Sequence, residues 1–133
     1  MRTQKIHKLN VRVREMPERK TMTALDLPFP PSILNPNARP HWSPKATAKK
    51  KYRRDCYYLA KQVKPDFKED KIYLEITFHP PDKRKRDKDN MIGAFKAGQD
   101  GIADAWNVDD CRFSTSYNIG DVVKYGKVCV EIK

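Results

Sequence analysis

The sequence predicts an α+β fold, an α/β sandwich in which two helices pack on one small mixed sheet. Three observations predict it. Apolar side chains alternate with a period of two from Lys71 to His79. Two stretches, Lys45 to Val63 and Met91 to Ala105, carry helical spacing. Two further strand-like segments, Phe113 to Ile119 and Lys127 to Ile132, close the chain.

The elements follow in order. Residues 1–20 form a basic amino-terminal extension with seven Lys or Arg against two Glu, in which Leu9, Val11 and Val13 alternate as a short strand before Pro17 interrupts it. A single domain spans residues 21–133 and opens with a better strand, Thr21 to Leu27. Pro28, Pro30, Pro31, Pro36 and Pro40 then exclude a regular element, so Pro28 to Trp42 reads as a stiff, extended loop that presents Asn35, Asn37, Arg39, His41 and Trp42. Ser43 and Pro44 suit an N-cap and a first turn. The helix behind them buries Ala48, Tyr52, Cys56, Leu59 and Val63, and Pro65 ends it. In the next strand Ile72, Leu74, Ile76 and Phe78 face the core, and Pro80-Pro81 turns the chain into the basic run Lys83 to Lys88. Asp89-Asn90 supplies the cap for a second helix, whose Gly93, Gly98 and Gly101 cost it stability. The last two strands, separated by Gly120 to Gly126, have the form of a closing C-terminal hairpin.

Composition narrows the partners. The chain of 133 residues is one domain in size and carries 28 Lys and Arg against 17 Asp and Glu, a net charge of +11. A polyanion, nucleic acid by default, is the expected partner. With 38% apolar residues the chain still fills a core. It has no apolar run long enough to span a membrane and no signal-peptide pattern at its start, so the expected location is cytoplasmic. Cys56, Cys111 and Cys129 lack the number and spacing of a disulfide framework or a zinc site and read as buried thiols of a reducing compartment.

Six of the 17 acidic residues fall between Asp87 and Asp110. In an extended approach to a helix, Asp87 and Asp89 point the same way, and a return of the chain after the helix brings Asp109 or Asp110 towards them. Three clustered carboxylates repel by roughly 3 kcal/mol per pair at an effective dielectric near 20, which a hard cation relieves, and Mg²⁺ is the natural occupant. Lys96 lies seven residues after Asp89, about 700° around a helix and so near the same face, where it can contact a phosphate, with Asp100 four residues further on to orient it. The same residues also read as a turn acid, an N-cap and an exposed helical pair, and spacing alone leaves both readings standing. Lys83, Arg84, Lys85, Arg86 and Lys88 form a candidate phosphate-binding run, with Arg39 on the proline loop and Lys45, Lys49 and Arg53 on the first helix as further contacts.

Arg86-Asp87-Lys88-Asp89-Asn90, Lys96, Asp100-Gly101-Ile102 and Val108-Asp109-Asp110, with Leu27-Pro28-Phe29-Pro30-Pro31-Ser32, together resemble the RusA-type Holliday junction resolvases of phages and prophages. The resemblance spans roughly residues 24–132. It implies a homodimeric, magnesium-dependent endonuclease that resolves four-way DNA by paired nicks in recombination and repair, without an organic cofactor. It also implies that Asp87, Asp89 and Asp110 are the metal-binding carboxylates and Lys96 the catalytic lysine. Some members place the lysine four residues after the second aspartate, where this chain has Gly93. Two other functions fit the charge and the carboxylates: a non-catalytic DNA-binding or regulatory protein, and a nuclease for flap or other branched DNA.

Overall fold

The computed structural model describes residues 11–15, 21–37, 42–63, 65, 67 and 70–133. Among them five strands form one mixed sheet: β1 (Val11–Glu15), β2 (Thr21–Leu27), β3 (Ile72–His79), β4 (Phe113–Ile119) and β5 (Lys127–Ile132), in the spatial order β1-β2-β5-β3-β4. Two helices, α1 (Trp42–Lys61) and α2 (Lys88–Trp106), complete an α+β fold. The only part of the extension that is described, β1, pairs antiparallel with β2 from Val11 opposite Leu25 to Glu15 opposite Thr21, and so belongs to the same sheet.

The alternation in β3 becomes the floor of the core. Ile72, Leu74, Ile76 and Phe78 are buried while Tyr73 is exposed. β5 runs antiparallel beside β3, setting Ile132, Val130 and Val128 opposite Leu74, Ile76 and Phe78. β4 runs parallel to β3, and a parallel neighbour needs a crossover, which α2 provides. The closing hairpin is therefore a split one. β4 and β5 return on each other through residues 120–126, but β3 lies between them and takes the hydrogen bonds of both.

Both helices contribute to one apolar cluster with these strands; Cys56 and Cys129 are buried as expected, whereas Cys111, in the short turn after α2, is exposed. The ring of Phe95 on α2 meets Phe78 edge-on at 5.8 Å, and Trp106 meets Phe113 at 6.2 Å. The glycines of α2, which reduce its intrinsic helicity, seat it against its neighbours. A Cβ at Gly101 would lie 2.3 Å from the carbonyl oxygen of Arg53 on α1, and one at Gly98 would lie 2.8 Å from the Tyr52 ring. The two helix backbones touch there. Trp106 then donates its indole N–H to the carbonyls of Val63 at 2.8 Å and Ala60 at 3.1 Å, tying the end of α2 to the end of α1.

Helix boundaries differ from the expectation in two places. α1 begins at Trp42, so Ser43 and Pro44 lie inside its first turn, where proline's missing N–H costs nothing. α2 begins at Lys88, and its cap is Asp87 rather than Asp89-Asn90. Asp87 is extended (φ −87°, ψ 127°) and its carboxylate accepts the Asp89 N–H at 3.0 Å. Of several cap-forming residues in a row, the first to reach a free helical N–H sets the start. Among the described residues no helix is long and apolar enough to cross a membrane.

Candidate functional site

Because Asp87 caps α2, Asp87 and Asp89 do not both lie on extended chain. Asp89 sits in the first helical turn, exposed, and its carboxylate has no hydrogen-bond or ionic partner among the described residues. Along the same face of the helix follow Gly93, Lys96 and Asp100. At Gly93 a Cβ would lie 2.5 Å from Pro36 of the proline loop. A long cationic side chain is thus shut out at position 93, and the lysine stands one turn further on.

Lys96 is clasped from two sides, donating from Nζ to Asp100 Oδ1 at 2.6 Å and to Asp110 Oδ2 at 3.0 Å. The hydrogen bond to Asp100 is the main cause of a pKa raised above the ordinary lysine value, with Asp110 adding to it against some desolvation. Lys96 is therefore a fixed cation and no proton acceptor near neutral pH. Asp110 reaches it because the chain reverses immediately after α2. Asn107 adopts a left-handed conformation (φ 55°, ψ 48°), and Val108 N–H bonds back to the Ala103 carbonyl at 3.1 Å. Asp109 and Asp110 then part. Asp109 caps the short 3₁₀ turn Asp110–Arg112 by accepting the Cys111 N–H at 3.0 Å, which holds its carboxyl below the usual range. Asp110 is the one that faces Lys96.

The carboxylates accordingly occupy two stations on α2 rather than one point. Asp87 and Asp89 stand at its amino end, and Asp100 and Asp110 surround Lys96, about 10 Å along the axis at 1.5 Å per residue. Among the described residues no three or more His, Cys, Asp or Glu side chains gather closely enough to hold a metal ion. Asp110 is instead hydrogen-bonded to Lys96. Asp87 and Asp89 still fit a magnesium ion by their chemistry. They are neighbouring hard oxygen donors, Asp89 is without a protein partner among the described residues, and magnesium binds through one or two carboxylates together with waters and substrate phosphates.

Asp87 also lines a cleft of about 540 Å³ bounded by the proline loop, the basic run and the tip of the β4–β5 connection. Within the basic run the arginines and lysines divide in role. Arg86 is partly buried, donating to Asp82 Oδ1 at 2.8 Å and to the carbonyls of Asp82 and Arg84 at 3.2 Å, with its guanidinium 5.7 Å from the Phe29 ring. It stakes down the loop that delivers Asp87. Arg84 leans on the same aspartate at 3.4 Å. Lys83, Lys85 and Lys88 remain exposed. Composition and charge do not single out Asp82, and its position four residues before Arg86 is the one signal in the sequence that could have found it.

On α1, Lys45 donates to the Asn35 carbonyl at 3.3 Å and so anchors the proline loop, while Lys49 stands exposed beside it. Arg53 forms a double hydrogen bond with Asp104 of α2, at 2.7 and 3.1 Å, which satisfies much of its charge within the fold. Arg39 lies outside the described residues.

The chain is 38% identical to an uncharacterized protein of Xylella fastidiosa (strain Temecula1 / ATCC 700964), in an alignment covering 85% of this chain and 77% of the relative. The two proteins belong to one family. No protein-family model matches the chain.

Proposed function

We propose that this protein is a magnesium-dependent, structure-selective endonuclease of the RusA type that resolves four-way DNA junctions by paired nicks. The observation that carries the reading is Lys96, a cation held by Asp100 and Asp110 on the same helix face as Asp89, about two turns further along. A lysine so held can lie against a scissile phosphate and stabilise the charge that grows on it. Asp100 positions the ammonium. Asp87 and Asp89 would hold magnesium, which when bound polarises the phosphate and lowers the pKa of a coordinated water. Asp110, besides its contact with Lys96, is assigned to that centre as its third carboxylate only by the resemblance. Lys83, Lys85 and Lys88 draw in the phosphate backbone, and Arg86 keeps the approach rigid.

A second copy of the chain would supply the second nick, since this chain carries one such lysine-centred cluster among its described residues and resolution requires two symmetric cuts. The separation of the carboxylates into two stations favours one competing reading, a non-catalytic DNA-binding protein in which Lys96 is merely neutralised. Incubation with a synthetic four-way junction, a linear duplex and a flap, each with Mg²⁺ or EDTA, separates them. Paired nicks in the junction that depend on magnesium are expected. Intact junction in the presence of magnesium would overturn the nuclease reading, and preferential cutting of the flap would redirect it.

A further inference from the structure

The cleft beside Asp87 has a rim that phosphate capture does not explain. Tyr125, at the tip of the β4–β5 connection, is 83% exposed and borders the cleft. Its backbone is left-handed, with φ 68°, a conformation that bulky residues rarely adopt, and Gly126 follows with φ 72°. The tip is also braced. Val123 N–H bonds to the Pro80 carbonyl at 2.9 Å and Gly126 N–H to the Val123 carbonyl at 2.7 Å, while a Cβ on Gly126 would lie 2.9 Å from Phe29 and 3.1 Å from Pro81. A large aromatic ring is thus held in water, on a strained and supported backbone, at the mouth of a cleft. Strain kept at such a place is a functional signature when the surroundings enforce it, as these contacts do.

The walls indicate what the ring meets. Pro30, Pro31, Met91 and Ala94 give the cleft apolar sides, Asn90 a hydrogen-bonding edge, and Lys85 a cation at the border with Asp87. Lys124 Nζ stands over one face of the Tyr125 ring, 5.3 Å from its centre, and leaves stacking to the other face. With apolar walls, an amide edge and a rim of positive charge in which Asp82 is already paired with Arg86, the site matches a nucleobase whose own phosphates lie on the lysines. We infer that this cleft seats an unstacked base of the bound DNA strand, stacked on Tyr125, next to the phosphate presented to Asp87. The inference rests on the DNA-cleaving reading above and deepens it, because a base seat gives the cut a preference for sequence or for open structure.

Binding measured without divalent metal tests it. Fluorescence anisotropy with a short oligothymidine and with a blunt duplex of equal length should show Tyr125→Ala weakening the single strand about tenfold, the loss of one stacked base, and the duplex by less than about twofold. Tyr125→Phe should restore single-strand binding. Tyr125→Gly, which suits the left-handed backbone, should raise the melting temperature and still lose the single strand, separating the ring from the fold. Single-strand affinity equal to wild type in Tyr125→Ala and Tyr125→Gly, or equal losses on both DNAs, would overturn the base seat. Junction cleavage without Tyr125-dependent binding would refute the seat alone, and Tyr125-dependent binding without cleavage would refute the nuclease alone.

Discussion

Gly101→Ala is expected to destabilise the protein by about 2 kcal/mol, although alanine is the better helix former. Inside a helix the exchange gains about 1 kcal/mol of propensity. Against it stands the Arg53 carbonyl oxygen, 2.3 Å from where the new Cβ would be, with the Tyr57 nitrogen at 3.1 Å. These are backbone atoms of α1 and cannot swing aside, so the helices must part by about an ångström, which belongs at the upper end of the roughly 1–3 kcal/mol that overpacking costs. Gly98→Ala provides the control. Its propensity gain is the same, but its contacts are the Tyr52 and Phe95 rings and the Cys56 sulfur at 2.8 to 3.1 Å, buried side chains that must shift but are not backbone atoms. Its net effect should lie within about 1 kcal/mol of zero. Urea unfolding followed by far-UV circular dichroism should give a midpoint about 1 M lower for Gly101→Ala at a typical slope, and little change for Gly98→Ala. If the two variants proved equally stable, the close approach of α1 and α2 at Gly101 would be wrong.

Asp87→Asn, Asp89→Asn and Asp110→Asn should each abolish magnesium-dependent junction cleavage while binding holds or tightens, and a gel assay that finds wild-type nicking in any of them removes that residue from the centre. Asp109→Asn, whose carboxylate serves the Cys111 N–H, should retain more activity than Asp110→Asn in the same assay. The raised Lys96 pKa means that folding favours the protonated amine, so its stabilisation is complete below the ordinary value of 10.5 and fades as pH rises through the raised folded value. The stability advantage of wild type over Lys96→Met in urea titrations should therefore be constant at neutral pH and shrink only in strong alkali. Replacing Lys83, Lys85 and Lys88 by alanine should flatten the slope of log affinity against log salt by about one for each phosphate that a lysine no longer neutralises. Arg86→Ala should instead lower the unfolding midpoint, because it releases Asp82 and Phe29.

Among the strands β3 was the most legible, because one face of it is buried and burial writes a period of two into the sequence directly. Their pairing was less so. Nothing local in Phe113 to Ile119 says that its partner is β3, reached through a helix, rather than the β5 segment next along the chain. At the site, the residue types and their helical spacing pointed to Asp89, Lys96 and Asp100, since three- and four-residue steps survive any small error in helix boundary. The partition between Asp109 and Asp110 depended on the left-handed turn at Asn107, and the retention of Arg86 by Asp82 on a loop conformation; neither leaves a periodic trace. Tyr125 was missed because an exposed aromatic in a loop has no pattern at all.

The position of β5 has a consequence for synthesis. Among the described strands it is the last in chain order, yet it lies in the interior of the sheet, between β2 and β3. Until residues 127–132 emerge, the nascent chain holds only two separate ribbons, β1 with β2 and β3 with β4, and two-stranded ribbons are marginal by themselves in water. The strands that frame α2 and its lysine-centred cluster thus lock together only once β5 has joined them, with most of the sequence separation in the sheet closed at once. A chain cut short before residue 127 would carry every acidic and basic residue of the candidate centre and yet lack the strand that joins the two halves of its support.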